Sequence, residues 1–182
     1  MKSVTVTLDG EGGRFLASGG HRGQVVVINA PKEAAESRAP TGFSASELLL
    51  ASAGACSAWD VLEIVRKRRQ GLSGLEVTVE GEQAAEPPWQ YERITLHFRL
   101  GAEGLERGVL ERVIRLSCVR YCSVLATLKG VATIAATLEL IDATGQSFGR
   151  RPISLALEPA EQLEAESGLG PEAVPLADEG ET

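Results

Sequence analysis

Ser44-Ala45-Ser46-Glu47-Leu48-Leu49-Leu50-Ala51-Ser52-Ala53-Gly54-Ala55-Cys56-Ser57-Ala58-Trp59-Asp60-Val61-Leu62-Glu63-Ile64-Val65 contains, from Leu48 to Val65, the longest apolar-rich stretch of the chain. It opens on a capping box, in which a serine and the glutamate three residues on satisfy each other's backbone N–H groups, so a helix is expected to start at Ser44. The periodicity carries it to about Gln70. Gly71 is the expected stop, and Arg66-Lys67-Arg68-Arg69 sit where cations favour the negative end of the helix dipole. Asp60 and Glu63 place two carboxylates inside the apolar run, a costly arrangement for a membrane span, so a buried helix of a soluble protein is expected. At some 27 residues it would be about 40 Å long, too long for a small monomer to cover on all sides, and a partner subunit is expected to share it.

Working outward, Ser3 to Leu8 and Gln24 to Ala30 are β-branched runs that suit strands, with the glycine-rich Gly10 to Gly23 expected as their irregular connection and Pro31 to Gly42 as a turn-like segment. Beyond the helix, Leu75 to Glu82 and Trp89 to Leu100 alternate apolar with polar residues and are joined by Glu86-Pro87-Pro88, which predicts a hairpin. Leu105 to Lys129 carries a broken helical stripe with a joint near Ser117 to Arg120, and Val131 to Ile141 reads as a closing strand. The order β-β-α-β-β-α-α-β predicts an α+β protein with an antiparallel sheet. Pro152 to Leu157 suggests a further strand and Glu161 to Gly168 a short acidic helix, followed by a flexible terminus. One domain over residues 1–141 and an acidic, partly flexible extension over 142–182 are therefore expected.

The 182 residues are 43% hydrophobic and 24% charged, an ordinary globular composition. Net charge is −7, and eight of the 25 acids fall after Leu157, where there is no Lys or Arg. The body is thus nearly neutral, which disfavours nucleic acid and anionic membrane as partners, because both recruit clustered positive charge. Three cysteines, Cys56, Cys118 and Cys122, are too few for a secreted disulfide framework, and the first nine residues lack a signal-peptide core, so a cytoplasmic location is expected.

No phosphate loop, dinucleotide fingerprint or nucleophile elbow occurs, which leaves the thiols as the main chemical resource. Taken alone, Cys56 in an apolar helix reads as a small buried hydrophobe. Cys118 and Cys122 share a helical face but form no zinc signature, since only His21 and His97 could complete one from unrelated places; neither metal nor cofactor is expected. Asp60, one turn after Cys56, should lie on the same face and oppose ionisation of that thiol. Trp59 and Tyr121 read as core aromatics or as the lining of a pocket, and His97 should face outward from its strand.

The words Glu47-Leu48-Leu49-Leu50-Ala51-Ser52-Ala53-Gly54-Ala55-Cys56 and Arg120-Tyr121-Cys122-Ser123-Val124, 66 residues apart at their cysteines, resemble the OsmC/Ohr family of osmotically inducible and organic hydroperoxide resistance proteins. The likeness covers residues 1–141 and is nearer the OsmC-like branch. It implies an intertwined α+β homodimer, antiparallel sheets wrapped around long central helices, and a thiol-dependent peroxidase acting on organic hydroperoxides or hydrogen peroxide. By the same resemblance Cys56 is the peroxidatic nucleophile and Cys122 the resolving thiol, with electrons from an external dithiol reductant such as a lipoylated protein. Arg14, with Arg22 as the nearby alternative, matches the arginine that orients the peroxide. Glu47 is the counterpart of the carboxylate that holds it, although that group stands ten residues before the cysteine in active peroxidases of the family, which here is Ser46. Cys118 has no counterpart. The other reading is a non-catalytic dimeric scaffold or small-molecule binder with buried structural cysteines.

Overall fold

The computed structural model describes residues 2–8, 14–19, 24–29, 42–101, 104, 106–142 and 144–157. His21, Arg22, the acidic helix expected at Glu161 to Gly168 and the terminus after it lie outside the described residues. The chain divides into two compact units, residues 1–52 and 53–182.

In the first unit, β1 (Val4–Leu8), β2 (Arg14–Gly19) and β3 (Gln24–Asn29) form an antiparallel sheet in that order. The stretch between β1 and β3, expected to be an irregular connection, thus contains a full strand; pairing on both edges, not local propensity, holds Arg14-Phe15-Leu16-Ala17-Ser18-Gly19 extended. The register puts Val4, Val6 and Leu8 opposite Gly19, Ala17 and Phe15, which in turn face Val26 and Ile28. Since opposed residues share a face, Val4, Val6, Leu8, Phe15, Ala17, Val26 and Ile28 gather on one side of this sheet. Val4, Val6, Leu8 and Val26 are nonetheless exposed.

The helix α1 runs Ala45–Lys67 and ends three residues before the expected Gln70. Ser44 N–H and Oγ–H donate to Glu47 Oε2 at 2.7 and 2.8 Å, and Glu47 N–H donates to Ser44 Oγ at 3.2 Å, which completes the capping box. At the other end Gln70 N–H donates to Val65 O and Arg69 N–H to Arg66 O, the paired bonds of a Schellman stop. The left-handed residue that closes it is Arg69, at φ 56°, and not Gly71. By length and hydropathy α1 passes for a membrane span, but Ala53, Ser57, Val61 and Val65, one per turn, are buried within the protein.

In the second unit, β4 (Gly74–Gln83), β5 (Tyr91–Gly101), β6 (Thr133–Ile141) and β7 (Ser147–Ile153) form a sheet in sequence order. The β4–β5 hairpin is antiparallel as expected, whereas β5 and β6 pair in parallel, a correction to the all-antiparallel reading. Its cause is the helical crossover between them, α2 (Arg107–Leu116), a π-turn (Ser117–Tyr121) and α3 (Ser123–Leu128), which returns the chain to the end from which β5 began. The joint falls where the stripe broke. β7, antiparallel to β6, lies beyond Ile141 and ahead of most of the strand expected at Pro152 to Leu157.

The two faces of this sheet follow from its alternation. Ile94, Leu96, Phe98 and Leu100 on β5 and Ala136 and Leu138 on β6 are buried together with Leu110, Val113 and Ile114 of α2, each large side chain contributing about 1.5–3 kcal/mol. On the opposite face the same register aligns Arg93 with Glu82, Arg99 with Glu76 and Glu139, and Arg150 with Glu139, at 3.5–3.9 Å. His97 belongs to this polar face, as expected, but it is enclosed by its neighbours, with Thr137 Oγ1 at 2.8 Å from Nδ1 and Glu80 Oε2 at 3.2 Å from Nε2. Two anchors fix the crossover: Arg107 donates to the carbonyls of Leu138 and Gly149, and Arg115 Nε to that of Ser154.

Candidate redox-active site

Gly54 lets α1 lie close to β4, since a Cβ there would fall 2.8 Å from Val79 Cγ2. Two residues on, Cys56 is half-buried, and one turn later Asp60 shares its face. The third member comes from the crossover. The π-turn closes with Cys122 N–H donating to Ser117 O at 2.9 Å, and Cys122 then leaves helical geometry (φ −66°, ψ 103°) to become the N-cap of α3. Ser117 Oγ–H donates to Ser57 O at 3.0 Å, tying this turn to α1. Wide turns of this kind concentrate at functional sites because they re-aim the residues that follow.

These constraints bring Cys56 Sγ, Cys122 Sγ and a carboxylate oxygen of Asp60 within 4.8 Å of one another. Cys56 is the accessible sulfur, with Ser123 Oγ at 3.9 Å, and Cys122 is 1% exposed. Burial pushes the Cys122 thiol above its ordinary pKa, opposed by donors at Ser57 and Leu125 and reinforced by the neighbouring Cys56. Leu125 N–H donates to Cys122 Sγ at 3.4 Å. Cys118 is pushed up to about 12, by burial first and then by Cys122 and Asp60, and lines an apolar cavity of about 230 Å³ with Leu125, Ala132, Ile134 and Leu155. Neither Trp59 nor Tyr121 lines that cavity, and Trp59 is 61% exposed, which overturns its reading as core. Tyr121 is half-buried and carries the Arg120 guanidinium 5.9 Å from its ring centroid.

The environment of Asp60 is also unfavourable to its own charge. Desolvation raises its carboxyl to about 6, partly offset by the Ser117 hydroxyl, and Oδ2 is buried without a hydrogen-bond partner among the described residues. Between the ordinary value of 3.8 and about 6 the folded chain therefore binds the proton more tightly than the unfolded one, and stability falls as pH rises through that window. Asp60→Asn removes the penalty. Discounted for solvent screening of a half-buried group, it should stabilise the reduced protein by about 1–2 kcal/mol above pH 6, with the gain vanishing below pH 4. Urea denaturation at the two extremes measures this; equal stabilisation at both would remove the electrostatic cause.

The other expected site residues lie in the first unit. Glu47 is exposed, and its carboxylate is held below the ordinary range by the Ser44 N–H and hydroxyl, so its visible work is capping. Arg14 is the first residue of β2 and is exposed. Sequence reasoning placed Asp60 beside Cys56 but did not count it as a metal donor, because it considered only histidines to complete a cysteine pair.

The profile of the OsmC-like protein family matches residues 37–137. Protein YhfA of Escherichia coli K12 is 35% identical over 100 residues, 55% of this chain and 75% of that one. A crystal structure of a hypothetical protein from Aquifex aeolicus is similar with a TM-score of 0.65 at 28% identity, covering 78% of this chain and 97% of that one. The organic hydroperoxide resistance protein OhrB of Bacillus subtilis shares the fold, with a TM-score of 0.54 at 16% identity over 76% of this chain and 97% of its own.

Proposed function

Because the chain belongs to the OsmC-like protein family, we propose that it is a thiol-dependent peroxidase that reduces organic hydroperoxides or hydrogen peroxide through a two-cysteine cycle. The observation that carries this reading is the juxtaposition of an accessible thiol, Cys56, with a buried one, Cys122, across 66 residues of sequence. The Cys56 thiolate attacks the O–O bond, takes one oxygen as a sulfenic acid and releases an alkoxide that leaves as the alcohol after gaining a proton. Cys122 then condenses with the sulfenic acid, forming the disulfide and expelling water. An external dithiol, such as a lipoylated protein, restores both thiols by exchange and leaves as its own disulfide. Arg14 is assigned to orienting the peroxide oxygens, a task suited to its fixed donors, and Glu47 to holding it.

The reduced protein with a small dithiol and an organic hydroperoxide should consume peroxide catalytically, followed as peroxide remaining. Absence of turnover with fully reduced thiols would leave the non-catalytic scaffold reading in its place. The cytoplasm, where dithiol reductants are maintained, is the compartment this cycle requires.

The working unit is assigned as a homodimer. The exposed apolar face of the β1–β3 sheet supports this, because a contiguous patch of β-branched residues in water marks an interface. Sedimentation at low micromolar concentration should give twice the chain mass; a stable monomer would refute the assembly.

A further inference from the structure

We propose that the reduced site also binds a thiophilic divalent cation, Zn²⁺, through Cys56 Sγ, Cys122 Sγ and the Asp60 carboxylate, with water in the fourth position. The donor set is of the right type: two thiols and a carboxylate gathered from two elements, all within 4.8 Å. Tetrahedral zinc with sulfur at about 2.3 Å and oxygen at about 2.0–2.2 Å separates its ligands by about 3.5–3.8 Å, so shifts of about 1 Å close the set. Three protein ligands with water in the fourth position are the pattern of open zinc sites, not of closed structural ones.

A second, independent observation points the same way. Asp60 Oδ2 is buried with no hydrogen-bond partner among the described residues, an arrangement that costs free energy unless something fills it. A cation held against the two sulfurs supplies the missing partner. Two of the donors, at positions 56 and 60, stand one turn apart on α1, and the third is fixed by the π-turn. Cys118 is not part of the set.

Binding exchanges two thiol protons for one ion and moves no electrons. The complex carries two thiolates, one carboxylate and the metal charge, for a net charge of −1. Its existence does not depend on the peroxidase reading. Only its consequence does: both sulfurs are occupied while the ion is bound, so zinc slows peroxide reduction. Conversely, oxidation of the two sulfurs to a disulfide by peroxide, with uptake of two protons and release of alcohol and water, expels the ion.

The test uses the full reduced, metal-free chain titrated anaerobically with Co²⁺. A thiolate-to-cobalt charge-transfer band and tetrahedral visible bands should appear, saturate at one ion per chain and vanish on addition of Zn²⁺. Asp60→Asn, expected to fold more stably than the parent, should weaken cobalt binding by at least about 10-fold, while Cys118→Ser leaves it unchanged and Cys56→Ser removes the band. No charge-transfer band at saturating cobalt in protein whose three thiols titrate as reduced would overturn the proposal. So would a band that Asp60→Asn and Cys56→Ser leave intact, or one that Cys118→Ser abolishes. Because the readout is absorbance of the metal, a protein that binds cobalt without turning over peroxide, or the reverse, separates this inference from the proposed function.

Discussion

Cys56→Ser should abolish peroxide turnover, lowering kcat/KM by at least about 1000-fold, because a serine hydroxyl does not form a nucleophilic anion at neutral pH and cannot take up the peroxide oxygen. The side chain is half-buried and its replacement is nearly isosteric, so the fold should be retained. Circular dichroism alongside the peroxide assay separates the two effects. Full turnover in a folded Cys56→Ser protein would move the chemistry elsewhere. Cys118 is the control: buried, with its pKa pushed up to about 12, it is held in the thiol form, and Cys118→Ser should leave turnover unchanged.

Cys122→Ser should have the second-largest effect and a different signature. Serine is a preferred N-cap and can accept the Leu125 N–H that Cys122 Sγ now accepts, so α3 should keep its start. Cys56 remains, and the first equivalent of peroxide should still be consumed. Without the neighbouring thiol the sulfenic acid must wait for reductant from solution, and loss of the intramolecular partner should lower steady-state turnover on the order of 100-fold. The oxidised intermediate should accumulate, be trapped by dimedone and, under excess peroxide, advance to the sulfinic acid. A Cys122→Ser protein that cycles at the parental rate and yields no trapped intermediate would show that Cys122 does not resolve.

The contrast between the two cysteines shows what the sequence could express. Ser44 and Glu47 declared the start of α1 because a capping box is a contact over three residues, and the β4–β5 hairpin was legible because alternation is local. The π-turn showed itself as a break in an apolar stripe. β2 was hidden because Arg14-Phe15-Leu16-Ala17-Ser18-Gly19 has little strand propensity and owes its form to partners on both sides. The stop of α1 at Arg69 was missed for a similar reason: a glycine two residues further on was the stronger local signal. The parallel β5–β6 pair depends on how far a 22-residue crossover carries the chain, which no window of sequence encodes.

At the site, the four-residue spacing of Cys56 and Asp60 predicted their shared face, and the structure adds the burial that makes Asp60 costly. The meeting of Cys56 with Cys122 was a different matter. Residue by residue, Cys56 read as a small buried hydrophobe and Cys122 as a helical neighbour of Cys118, and only the resemblance of two short words to a family suggested that they meet. Trp59 stood out as aromatic but is exposed, so its expected place in the core was wrong.

The most direct measurement is peptide mapping of the reduced chain after one equivalent of cumene hydroperoxide, with free thiols alkylated before digestion under non-reducing conditions. A single new linkage, Cys56 to Cys122, is expected, with Cys118 recovered alkylated. Recovery of all three cysteines as alkylated thiols, or a linkage through Cys118, would contradict it.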